Sequence, residues 1–221
     1  MCRPAAVRIL MQHEKHQQAL DRANRYLRHD AENGDLLNLR ATCLGELGKP
    51  KKALADLERI LKLTPESPLA NNNLGYQLAD AGLQLDRAER MIRLALSRAA
   101  QLGTTRGSLA YLDSLGWVLY KQGKLHRAAK VFLEVVQRGR RDDYKHPVMF
   151  DHAGDVLYRL GWTQRASGFW AEAVELAKSR KWDSREVNQI RTRTSGKITA
   201  ARTGKPAEVA PLGKDMKPQG K

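Results

Sequence analysis

Asp151, His152 and Asp155 put two carboxylates and an imidazole within one short stretch, residue types that perform general acid/base catalysis when a carboxylate orients the ring. His152 and Asp155 are three positions apart, so on a helix they need only be neighbours at its surface. No nucleophile motif, phosphate-binding glycine loop or paired-cysteine zinc pattern accompanies them. His13 and His16 lie close together in a turn without a further ligand pair, and Cys2 and Cys43 are too few and too far apart for a disulfide framework. The sequence therefore predicts no catalytic residue, no metal ligand and no cofactor.

A second class of chemistry is attraction of anions. The formal charge is +15, with a marked excess of Lys and Arg after Lys178. A basic tail of this kind binds RNA, DNA or an anionic membrane surface through a salt-sensitive attraction, or simply keeps the chain soluble. No aromatic residue follows Trp182, so a stacking platform for single-stranded nucleic acid is not expected. Arg138, Arg140 and Arg141 form a denser patch, read as a solvated loop because Asp142 and Asp143 follow at once. No apolar run reaches the roughly 20 residues that cross a bilayer, and no three-part signal peptide is visible, which makes the cytoplasm the default compartment. That default gives way to export if a leader precedes Met1. The chain is expected to begin inside a longer array or at a misassigned start; the alternative is a naturally frayed first unit.

The elements that must carry these residues are written as a repeat. Ala41, Gly48 and Ala53 recur in order as Gly75, Gly82 and Ala88, then Gly116, Gly123 and Ala128, then Gly154, Gly161 and Ala166. The first small residue of each set lets two helices approach closely. The middle glycine stands where the first helix must stop, since it tolerates the left-handed conformation past a helix end. Pro50 suits the first turn of a second helix, and Asp86 with Glu89 has capping-box spacing. Leu125, Ala128, Ala129, Phe132, Val135 and Val136 share one face at helical spacing, a stripe that only stacking of neighbouring hairpins would bury.

These residues resemble the tetratricopeptide repeat family, above all in Asn73-Leu-Gly-Tyr-Gln-Leu-Ala-Asp-Ala-Gly82 and Asp113-Ser-Leu-Gly-Trp-Val-Leu-Tyr-Lys-Gln-Gly123, which look like its bacterial members. Thr64-Pro65 matches the proline that commonly closes a unit, and no such proline follows Arg140. The anchoring alanines, from Ala19 through Ala53, Ala88 and Ala128 to Ala166, recur near the family period of about 34 residues. Extra residues collect at 101–108 and 139–146, read as loops between units. The resemblance implies an all-α, right-handed superhelical solenoid. Its expected units are a weak or truncated first repeat over 1–33 and four hairpins over 34–67, 68–108, 109–146 and 147–182. A capping helix over 183–194 would bury Val187 and Ile190, and a basic disordered tail would occupy 195–221.

In that family one face of each first helix lines a concave groove. Leu112, Leu115, Gly116 and Leu119 mark the packing face of one first helix, leaving Asp113, Trp117 and Tyr120 on the other. The same register selects Asn38 and Thr42, then Asn72 and Tyr76, then Asp151, Asp155 and Tyr158. An Asn or Asp at the equivalent place in each unit suggests a ladder for an extended peptide backbone, with the aromatics as anchors. The alternative is that the aromatics pack on the next repeat and the acids are solvated. The clustered Lys, Arg and Asn with which the family holds acidic C-termini are not matched, so the expected partner is another protein presenting a neutral or basic segment. The chain is expected to be a non-enzymatic interaction scaffold; anion binding by the tail, or a regulatory part of a larger enzyme, are the alternatives.

Overall fold

The computed structural model describes residues 3–103, 105–179 and 185–213. Within them the repeat becomes five helical hairpins: α1 (Arg3–Gln12) with α2 (His16–Leu27), α3 (Gly34–Glu46) with α4 (Pro50–Leu63), α5 (Pro68–Asp80) with α6 (Leu85–Gln101), α7 (Thr105–Lys121) with α8 (Leu125–Arg141), and α9 (Pro147–Arg159) with α10 (Thr163–Ala177). Each hairpin packs on the next, making an all-α solenoid with one continuous core. First helices touch along the array, α1 with α3, α5 with α7 and α7 with α9, and so form the inner layer.

The small anchors do the expected work. A Cβ on Gly75, Gly116 or Gly154 would come within 2.8 Å of Ile92, 2.7 Å of Phe132 or 2.3 Å of Trp170, each a side chain of the paired second helix. Gly48, Gly82, Gly123 and Gly161 all turn the chain at positive φ, between 68° and 81°. Pro50 sits in the first turn of α4.

Three local expectations are corrected. The extra residues at 101–108 and 139–146 mainly lengthen helices: α6, α7 and α8 have 17 residues each, and α7 starts at Thr105 rather than near 109. Asp86 and Glu89 form no capping box, because Gln84 caps α6 in the left-handed region and Glu89 reaches instead to Lys124 of the next hairpin, 3.1 Å away. Arg138, Arg140 and Arg141 lie in the last turn of α8, where cations complement the helix dipole, and Arg140 pairs with Glu172 while lying over Phe150 and Phe169.

The C-terminal part departs most from expectation. α11 (Arg185–Gln189) continues through a π-helical turn (Ile190–Thr194) into α12 (Ser195–Arg202), so the capping helix does not stop at 194. Val187 and Ile190 are buried as a cap requires, while Trp182 and the first residues of the expected capping helix, 183 and 184, lie outside the described residues. Nor are 195–213 disordered. After α12 the chain turns at Gly204, φ 71°, and a strap over 205–213 runs back across the inner layer. The disorder expectation failed because the tail has few large apolar residues, yet its backbone finds polar partners on the helices. Residues 214–221 lie outside the described residues.

Candidate functional site

The groove residues divide into two groups. In the N-terminal half Thr42 is exposed, Asn38 and Tyr76 are half-buried, and Asn72 is buried with its Oδ1 unpartnered among the described residues. Asn38 Oδ1 accepts from Asn73 Nδ2 at 3.0 Å, a bond between one first helix and the next. The ladder therefore begins as a repeat-to-repeat contact. Asp113 continues it, with Oδ2 lying 3.2 Å from His152 Nδ1 on α9. Trp117 joins the same seam: its ring stacks on His152 at 4.1 Å and on Tyr120 at 5.2 Å, and its Nε1 donates to Asp80 at 3.3 Å. The packing alternative thus describes Trp117, which is 5% exposed.

Tyr120, Asp151, Asp155 and Tyr158 meet in the C-terminal half, beneath the strap. Ala207 N donates to Tyr158 Oη at 2.8 Å, and Ala210 N to Asp155 Oδ2 at 3.0 Å. The Ala210 carbonyl accepts from Tyr120 Oη and from Arg159 Nη2, the latter at 2.8 Å. Gly213 N donates to the Lys121 carbonyl at 2.8 Å. The held residues, 207, 210 and 213, are spaced by three, and 205, 206, 208 and 211 face solvent.

Charge in this half is balanced by residues that the sequence reading did not select. Lys197 Nζ lies 2.7 Å from Asp155 and 3.0 Å from Asp151, and Thr194 Oγ1 donates to Asp151 at 3.0 Å. Burial works against the Lys197 ammonium, but the two carboxylates outweigh it and hold its pKa above the usual lysine value. Burial, reinforced by the charge of Asp151, raises the Asp155 carboxyl. Burial and the nearby Asp155 likewise raise the Tyr120 phenol, which therefore stays a neutral donor. Arg159 Nε donates to Tyr120 Oη at 2.6 Å, fixing the ring that holds Ala210. The available signal for Lys197 was the stripe Val187, Ile190, Thr194, Ile198, whose helical spacing continues past 195. Asp151, His152 and Asp155 do not form an acid/base constellation: His152 turns to Asp113, and Asp155 to Trp170, Lys197 and Ala210.

The first two of these five stacked hairpins fall almost wholly in residues 5–68, which match the tetratricopeptide repeat family model. The match and the stacked hairpins together support a tetratricopeptide repeat protein. The matched stretch includes the first hairpin, whose anchors are the least regular of the tetratricopeptide units. A curated relative, TPR repeat-containing protein PA4667 of Pseudomonas aeruginosa, is 33% identical over 96 residues, covering 42% of this chain. The match spans only 15% of that relative's length. Among solved structures, PilW, titled a widely conserved type IV pilus biogenesis factor, superposes with a TM-score of 0.65 at 17% identity, covering 91% of this chain and 88% of that one. A tetratricopeptide repeat protein from Parabacteroides merdae gives 0.65 at 20% identity, covering 90% and 71%, and Pseudomonas aeruginosa pilF gives 0.61 at 15%, covering 91% and 86%. At these identities the likeness is one of fold. Tetratricopeptide folds serve in general as protein-interaction scaffolds, through the extended concave surface that solenoid curvature creates.

Proposed function

We propose that this chain is a non-enzymatic scaffold whose inner surface holds an extended segment of a protein partner. The observation that carries the reading is the strap: the groove already binds an extended backbone, through side chains of α7 and α9 that serve as donors and acceptors. Beside it, along α3 and α5, Thr42 is exposed and Asn38 and Tyr76 are half-buried among the described residues, so a partner segment would meet them there. Anion binding by the basic tail loses ground over 195–213, where Lys197 is neutralised by Asp151 and Asp155. A cytoplasmic location stays part of the proposal.

The test is a fluorescence-anisotropy screen of extended neutral and basic peptides against the full chain and a Thr42→Arg, Tyr76→Ala variant, at moderate salt and after nuclease treatment. The expected result is that peptides bound by the full chain lose at least tenfold in affinity with the variant while its helical melt is retained. Equal affinity for both chains would move the binding surface off α3 and α5 and overturn the assignment.

A further inference from the structure

Resting on that reading, we infer that the strap is an internal stand-in for the partner, and that the C-terminal half of the groove recognises a neutral, extended segment with a small residue at every third position. The three held residues are Ala207, Ala210 and Gly213. The seat allows little more than a hydrogen at the last of them: a Cβ on Gly213 would lie 2.6 Å from Leu85 Cδ1 and 3.0 Å from the Lys121 carbonyl oxygen. Ala207 is 9% exposed, so a longer side chain there has little room. Lys205 and Glu208, the charged residues of the strap, are exposed and cancel, so neither charge is used in recognition. Pro206 and Pro211 fall where no backbone donor is needed, because the donating amides are those of Ala207, Ala210 and Gly213.

A segment held mainly through backbone groups and small side chains is replaceable by any other of the same pattern. Val209 and Leu212 add only partly buried apolar contact. The strap follows the turn at Gly204, so it can lift while Lys197 keeps α12 on α9. The groove is therefore closed by its own chain until a matching segment competes for it. An internal segment at an effective concentration on the order of 1 mM, set against a peptide of intrinsic Kd about 10 μM, leaves the site open in about 1% of molecules and weakens apparent affinity about 100-fold.

The experiment titrates a fluorescein-labelled synthetic peptide of residues 205–213 into the full wild-type chain and into full-length Ala207→Leu, Gly213→Leu, whose strap no longer fits. The expected result is peptide binding about 100-fold tighter in the variant, lost when leucine replaces the peptide's own three small residues. Should the double variant fail to melt cooperatively, full-length Ala210→Pro replaces it, since it removes the amide that donates to Asp155 and puts ring atoms in its place; a gain of at least tenfold is then expected. Equal and weak binding by wild type and variants would overturn the inference, making the strap a permanent part of the fold. If Thr42→Arg, Tyr76→Ala still abolishes binding of other peptides in that case, the scaffold reading survives alone. Concentration-dependent dimers of the wild type, dissolved by the peptide, would also overturn it, by showing that the strap's counterpart is a second copy of this chain.

Discussion

Replacing Gly154 by alanine puts one methyl group into the contact between α9 and α10. The added Cβ would lie 2.3 Å from Trp170 Cδ1 and 2.4 Å from Nε1, so the indole must move or the helices must part. Trp170 is fully buried, and overpacking such a site costs about 1–3 kcal/mol. The same movement breaks the bond from Trp170 Nε1 to Asp155, 3.0 Å in the native chain, and a buried group left unmatched costs about 1–3 kcal/mol. Removing a glycine from a helix interior returns about 1 kcal/mol. The net expectation is a loss of about 1–5 kcal/mol, a fall in Tm of roughly 2–20 °C at the slope for chains of this size. Gly168 on α10 supplies the control: it is exposed, among the described residues no side chain or packed neighbour lies within 4 Å of where a Cβ would stand, and Gly168→Ala should gain about 0.5–1 kcal/mol. Thermal and urea melts followed by circular dichroism measure both. A Gly154→Ala chain that melts at or above wild type would refute the close-approach account of the first-helix glycines.

Two further outcomes concern titratable groups. Glu89 is disfavoured as a carboxylate by burial, but hydrogen bonds from Arg93, Lys124 and Gln122 prevail and lower its pKa to about 2. Its folded pKa lies below the ordinary 4.5, so its contribution is present above pH 4.5 and is lost as pH falls toward 2. Melts of wild type and Glu89→Gln should converge across that window; a constant difference from pH 6 to pH 2.5 would contradict the pairing. Burial pushes the Cys43 thiol up to about 11, so iodoacetamide at pH 8 should modify it only as fast as the array opens. Rapid labelling at Cys43 itself, located by peptide mass spectrometry and kept apart from any label on Cys2, would place Cys43 outside the core.

The hairpins were legible because a close helix crossing admits few residue types. Gly116 and Gly154 could be recognised from spacing alone, and each meets a buried aromatic in the structure. The inserted residues misled for a related reason: spacing reports where repeats fall, while the lengths of α7 and α8 depend on packing beyond the anchors. Within the inner layer the register selected one face of the first helices, and the structure gives that face two uses. Asp113 and Trp117 bridge consecutive first helices, whereas Asp155 and Tyr158 hold the strap, and nothing local in the sequence separates those roles. The strap left little trace because backbone hydrogen bonding carries no side-chain signature. Its composition reads as disorder when the helices that satisfy it are left out.

The return of the chain over its own groove also sets an order of events. Tyr120 meets Ala210 across 90 residues, whereas a bond between neighbouring hairpins such as Asn73 to Asn38 spans 35. Local helical contacts form in microseconds to milliseconds, well before so distant a closure. During synthesis α7 and α9 emerge ahead of residues 205–213, and at the pace of translation that lead lasts on the order of seconds. Each new molecule therefore passes through a stage in which the surface is built and the segment that covers it has not yet been made. On the proposed reading, a partner segment present at that stage would meet no competitor, so occupancy of the nascent groove would be decided by arrival, and only later by relative affinity.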